Sequence, residues 1–167
     1  MYKYAVIHEI IPKERNLVEY LDIKKAGNPN AYNREPFSKT EVAKLWDVKD
    51  SNIYYTVILM LIYTGCRIGE LLDLKKENVN LEERYFKIVA SKTAAGIRTA
   101  PISEKVYPFF EYWYNLNDCE YLLSTPEGEH FKYRNYYDSY WSPLIETLGM
   151  KHRPHDTRHT CISMLTV

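Results

Sequence analysis

His155-Asp156-Thr157-Arg158-His159, directly after Pro154 and close to the end of the 167-residue sequence, decides how the chain is read. Proline suits the first turn of a helix or the residue before it, because that turn has no use for its missing N–H. With a helix over residues 156–165, His155, Arg158 and His159 fall at i, i+3 and i+4 and share one face. A guanidinium flanked by two imidazoles can hold a phosphate oxyanion and move a proton beside it. On these residues alone two other readings stay open. One is a solvated, mildly basic helix end. The other is a metal pair, since His155 and His159 have the i, i+4 spacing of a zinc helix. That pair lacks the Glu of an HExxH arrangement, and Arg158 would set a positive charge beside the cation.

The totals bound the answer. The length suits one ordinary domain with a real core, and 46% hydrophobic with 26% charged residues describes a globular chain. No apolar run approaches a membrane span, and the N-terminus has no secretory h-region. Cys66, Cys119 and Cys161 are scattered and odd in number, which argues for a reducing cytoplasm and against a disulfide framework or a structural zinc site. The net charge is zero, which taken alone counts against a nucleic-acid partner. Its distribution is uneven, however. Residues 84–105 hold five Lys/Arg against one Glu, and residues 151–159 hold three Lys/Arg and three His against one Asp. A local anion-binding face is therefore allowed.

Residues 1–24 mix apolar and charged positions in a helix-like way but are too few for a domain, and residues 25–36 have linker composition. The main domain opens at Ser38-Lys39-Thr40-Glu41, a capping box flanked by Phe37 and Val42 at staple positions. This predicts a helix over residues 39–48. An apolar helix follows over 52–63, ended by Gly65, then a short one over 67–74. The period next switches to strands over 78–81, 85–90 and 97–102, an antiparallel meander. A Ser-capped helix is expected over 103–114, a short strand over 121–123, and an aromatic-rich helix over 132–148 bent at Pro143. The fold class is mainly α with a small antiparallel β-sheet (α+β).

Two further stretches carry chemistry. Thr64-Gly65-Cys66-Arg67-Ile68-Gly69-Glu70-Leu71 sets an arginine at the start of a helix, after a glycine break. Helix N-termini attract anions, and a guanidinium adds a fork suited to phosphate. Glu70, three residues on, could orient it; the plainer alternative is a surface ion pair. Lys92 sits at the tip between two predicted strands, where a lysine is ordinarily just solvated but can also be swung into a site as a proton donor.

Together, the Arg67 stretch, the hairpin Lys92 and His155-Asp156-Thr157-Arg158-His159 resemble the tyrosine recombinases, or phage integrases, in order, separation and local structure. The resemblance covers residues 37–167 as about the first four-fifths of that family's catalytic domain, with its C-terminal part missing. It casts residues 1–24 as the tail of a preceding core-binding domain. It implies that Arg67 and Arg158 clamp one DNA phosphate, Lys92 protonates the departing 5′-oxygen, His155 is the acid/base partner and His159 a further contact near the phosphate. It also implies a covalent 3′-phosphotyrosyl link, with no metal and no nucleotide cofactor. The expected partners are double-stranded DNA, further copies assembling as a tetramer on DNA, and an accessory directionality factor, in the cytoplasm and away from membranes.

One departure stands out. In the family, the nucleophilic tyrosine follows the HxxRH motif, whereas all sixteen tyrosines here precede His155 and eight residues follow His159. The expectation is that these 167 residues alone do not cleave DNA, and that Ile162 and Leu165 on the last helix remain uncovered. The alternatives are a non-catalytic DNA-binding or regulatory remnant of the same fold, and a metal-dependent hydrolase built on His155 and His159.

Overall fold

Helix α1, Lys39–Val48, begins at the capping box: Ser38 Oγ accepts the Glu41 N–H (3.3 Å) and Glu41 Oε2 accepts the Ser38 N–H (2.8 Å). Both staple residues, Phe37 and Val42, are buried. The computed structural model describes residues 34–89 and 96–166. The predicted segment 1–24, the linker as far as residue 33, and Lys92 lie outside them.

Helix α2, Tyr54–Thr64, is the centre of the core. Its run of six side chains from Val57 to Ile62 is completely buried. At about 1.5–3 kcal/mol for each large apolar side chain removed from water, this one helix contributes a large share of the driving force. It starts at Tyr54, two residues after the predicted boundary, because the Asn52 side chain accepts the Tyr54 N–H (3.0 Å) in a local turn. Gly65 ends it in the left-handed region (φ 62°) and donates its N–H to Leu61 O. Helix α3, Ile68–Leu72, follows at once and is shorter than the predicted 67–74.

Strands β1 (Val79–Asn80), β2 (Tyr85–Ile88) and β3 (Arg98–Pro101) form the expected antiparallel meander in the order β1-β2-β3. Register pairs Val79 with Phe86, and Phe86 with Ala100, so one face of the sheet turns inward. Phe86 stacks on Phe110 of α4, Tyr107–Asn115, at 5.5 Å between centroids. The predicted Ser103 side-chain cap is not what opens α4. The Ser103 carbonyl instead closes a turn onto Val106 and Tyr107, and Pro108 occupies the first helical turn, where it needs no N–H.

Of the predicted strand over 121–123 only an isolated bridge of Tyr121 with Lys75 forms, and a second bridge joins Ser124 to His130. The aromatic helix is three consecutive pieces: α5 (Tyr133–Tyr136), a π-helical turn (Tyr137–Trp141) and α6 (Ser142–Thr147). The irregularity precedes Pro143 instead of falling at it. A proline ring collides with the carbonyl four residues back, and widening the preceding turn relieves that contact. Trp141 and Tyr136 are buried through this turn. The last helix, α7 (Asp156–Leu165), packs on α2. At its end Ile162 and Leu165 are 51% and 80% exposed, as the sequence expects. Among the described residues no helix is long and apolar enough to cross a membrane.

Candidate functional site

The site begins with backbone. Gly65 holds a positive φ at which L side chains are strained, and a Cβ built there would lie 3.0 Å from Cys161 Sγ. Glycine therefore lets α7 approach the loop between α2 and α3. The approach is used: Arg158 Nη1 donates to the Gly65 carbonyl (2.8 Å). Arg67 stands two residues after this carbonyl, as the N-cap of α3. Two arginines ninety-one positions apart are thus held on one short stretch of chain.

Glu70 fixes Arg67 twice. Its Oε2 accepts the Arg67 backbone N–H (3.0 Å) and its Oε1 accepts Arg67 Nη1 (2.8 Å). The Glu70 side chain is only 7% exposed, against 48% for Arg67. A third group shares this carboxylate. Arg98, on β3, donates Nη1 to Oε1 (3.2 Å) and Nη2 to Oε2 (2.9 Å), the two-pronged pairing of guanidinium with carboxylate. Burial pushes the Glu70 carboxyl up, but the hydrogen bonds from Arg98 and Arg67 outweigh it and hold the pKa at about 2. Sequence reading selects Arg67 and Glu70 and misses Arg98. Its partner is twenty-eight residues away, and on a short strand it looks like any exposed polar position.

His155 is the N-cap of α7 and lines, with Arg67 and Tyr133, a cleft of about 930 Å³. Partial burial lowers its pKa, and the positive charges of Arg34, Arg158 and Arg67 act in the same direction, as does His159. The His155 and His159 rings meet edge to face at 5.1 Å. The buried His159 Nε2 has no hydrogen-bond partner among the described residues. His155, Arg158 and His159 share the start of α7, and the Arg158–Gly65 hydrogen bond sets that helix against the loop of Arg67. Lys92 lies outside the described residues; Lys87 and Ile88 at the end of β2, and Val89 just after it, line the same cleft.

A second cluster anchors α7 from behind. The His152 ring stacks on Phe37 (3.9 Å between centroids), its Nε2 lies 3.1 Å from Glu41 Oε1, and its Nδ1 lies 3.5 Å from Asp156 Oδ2. Thr160 Oγ1 accepts the Phe37 N–H (2.8 Å) and donates to Asp156 O (2.8 Å). The start of α1 is thereby joined to the first turn of α7. Besides the local Asp156, the partners of His152 are Glu41 and Phe37 at the far end of the domain, which no local spacing announces.

A mainly helical domain with a three-stranded sheet, carrying Arg67 and His155 at one cleft with Arg158 and His159 on the same helix as His155, has the make-up of a tyrosine recombinase catalytic domain. The chain belongs to the phage integrase family, whose model matches residues 37–166. It is 30% identical over 146 residues to tyrosine recombinase XerA of Pyrococcus horikoshii, covering 83% of this chain and 50% of that protein. XerA of Pyrococcus furiosus is 28% identical over 148 residues, covering 83% and 51%. The chain thus spans about half the length of these relatives. Among solved structures, the Tn1549 transposon integrase in complex with a circular intermediate DNA superposes with a TM-score of 0.78 at 17% identity, covering 97% of this chain and 62% of that one. A lambda integrase tetramer bound to a Holliday junction gives 0.69 at 15% identity, covering 96% and 49%. At these identities the two structures speak for the fold.

Proposed function

We propose that residues 37–167 form the larger part of the catalytic domain of a site-specific recombinase that breaks and rejoins DNA strands through a 3′-phosphotyrosine. The observation that carries this reading is the Arg158–Gly65 hydrogen bond, which brings the helix of His155 and Arg158 against the loop of Arg67. Two guanidiniums so joined suit the non-bridging oxygens of one phosphate and the charge that grows on them as phosphorus becomes five-coordinate.

In this reading a tyrosine hydroxyl attacks the scissile phosphorus and His155 accepts its proton. The bond from phosphorus to the 5′-oxygen breaks, and Lys92 supplies the proton that the leaving oxygen takes. A new strand's 5′-hydroxyl reverses each step, so bond energy is conserved and no energy cofactor is consumed. His159 stands close enough to His155 to steady it or to meet the phosphate. No tyrosine of residues 1–167 stands beyond His155, where the family resemblance puts the nucleophile. The 167-residue polypeptide alone would therefore bind DNA without cutting it. The whole protein is inferred to act on double-stranded DNA as a multimer, with an accessory factor setting direction.

The test is strand cleavage by a polypeptide that includes the tyrosine, on a nicked duplex carrying its cognate site. Arg67→Ala and Arg158→Ala should each abolish the covalent adduct while the fold persists. An adduct undiminished in either variant would reject the assignment.

A further inference from the structure

Glu70 poses an electrostatic problem for any anion-binding role of Arg67. A carboxylate 2.8 Å from the guanidinium orients it, but a one-to-one pair is neutral and has little attraction left for phosphate. Nor can Glu70 turn away into water, because its side chain is 7% exposed. Arg98 changes the sum. It places one hydrogen bond on each Glu70 oxygen, so Arg67, Glu70 and Arg98 together carry one net positive charge. Arg98 is itself held: Nη1 also donates to Gly96 O (2.9 Å), and Nη2 lies 3.9 Å from the buried Cys66 Sγ. Of the two guanidiniums Arg67 is the more exposed, at 48% against 29%, and it lines the cleft.

We propose that Arg98 is a positioning residue for Arg67, sharing the Glu70 carboxylate so that Glu70 aligns Arg67 without neutralising it toward a phosphate. Arg98 need not touch the phosphate. Because Arg98 stands at the start of β3, the same pairing ties that strand to the arginine loop. The inference rests on the phosphate-clamp role given to Arg67 above.

Removing and then restoring the positive charge makes the test specific. Inorganic phosphate is titrated into the DNA-free 167-residue protein and followed by NMR at the Arg67 Nε–H. Arg98→Met leaves the trio neutral and should weaken phosphate binding about tenfold, the worth of roughly one charge-assisted hydrogen bond. Arg98→Lys restores the charge and should recover most of the binding. The double variant Glu70→Gln/Arg98→Met also returns the trio to one positive charge and should bind more tightly than Arg98→Met. A merely structural Arg98 would make the double variant no better than the single one. Wild-type-like binding in Arg98→Met, no rescue in the double variant, or no phosphate response at Arg67 in the parent protein would each overturn the proposal. A parallel titration with a mixed-sequence DNA duplex separates the two levels. Phosphate binding that follows this order, with no DNA binding, would overturn the DNA reading and leave the role of Arg98 standing.

Discussion

The Arg158 guanidinium donates to the Gly65 carbonyl across 2.8 Å, and Gly65 can accept it only because no side chain keeps α7 away. Gly65→Ala should therefore destabilise the domain by about 1–3 kcal/mol, combining the cost of a positive φ with a clash on Cys161. Thermal unfolding checks this. Adding Cys161→Ala should recover part of the stability, since the Sγ clash goes while the backbone strain stays. Full recovery would show that φ costs nothing here.

Arg158→Lys keeps a charge but not the fork that reaches both a carbonyl and an anion. DNA affinity should fall about tenfold with the salt dependence nearly unchanged, whereas Arg158→Ala should also make the log–log slope shallower by about 0.9 for each phosphate no longer neutralised. A fluorescence-anisotropy titration across a salt series measures both. An unchanged slope in Arg158→Ala would mean that Arg158 neutralises no phosphate.

Glu70 gives the domain an acid limit. Its folded pKa of about 2 lies below its ordinary value of 4.5, so its stabilisation is complete above pH about 4.5 and is lost as pH falls toward 2. Glu70→Gln should flatten the fall in stability over that window, by an amount on the order of 1–3 kcal/mol. Urea unfolding at several pH values reads it directly. Equal pH profiles for the two proteins would contradict the buried, doubly paired carboxylate.

His155 should titrate below the ordinary imidazole value of 6.5, because burial and the nearby arginines oppose its positive form. Proton uptake then favours the unfolded chain, and His155 costs stability as pH falls below 6.5. Histidine side-chain NMR checks the direction. Bound phosphate, by offsetting the arginines, should move the value upward.

The 167-residue polypeptide should form no covalent adduct on a nicked duplex. Tyr133, 50% exposed, lines the cleft with Arg67 and His155 and is the tyrosine to test if an adduct forms. Burial and neighbouring Tyr137 raise its pKa, which makes it a poor nucleophile. Disappearance of any such adduct in Tyr133→Phe would identify it.

What the sequence makes legible is whatever is local. The Ser38–Glu41 capping box, the apolar run that becomes α2, the Gly65 break and the i, i+3, i+4 grouping of His155, Arg158 and His159 are all set by neighbours within a turn or two. The residues proposed to hold a phosphate follow from that grouping and from the family resemblance. Arg98 and His152 are not legible, because their meaning lies in pairings made across the fold: Arg98 with Glu70, and His152 with Glu41 and Phe37. The π turn ahead of Pro143 marks another limit. A proline announces that a helix must adjust, but packing of Tyr136 and Trp141 decides where.

The clasp around His152 has a mechanical consequence. Phe37 gives its N–H to Thr160 and its ring to His152, and Glu41 of the same first turn reaches His152 as well. Where the chain enters the domain, it is therefore coupled in series with the helix bearing His155 and Arg158. Tension applied at Arg34 would reach that helix before it reached the sheet or α4.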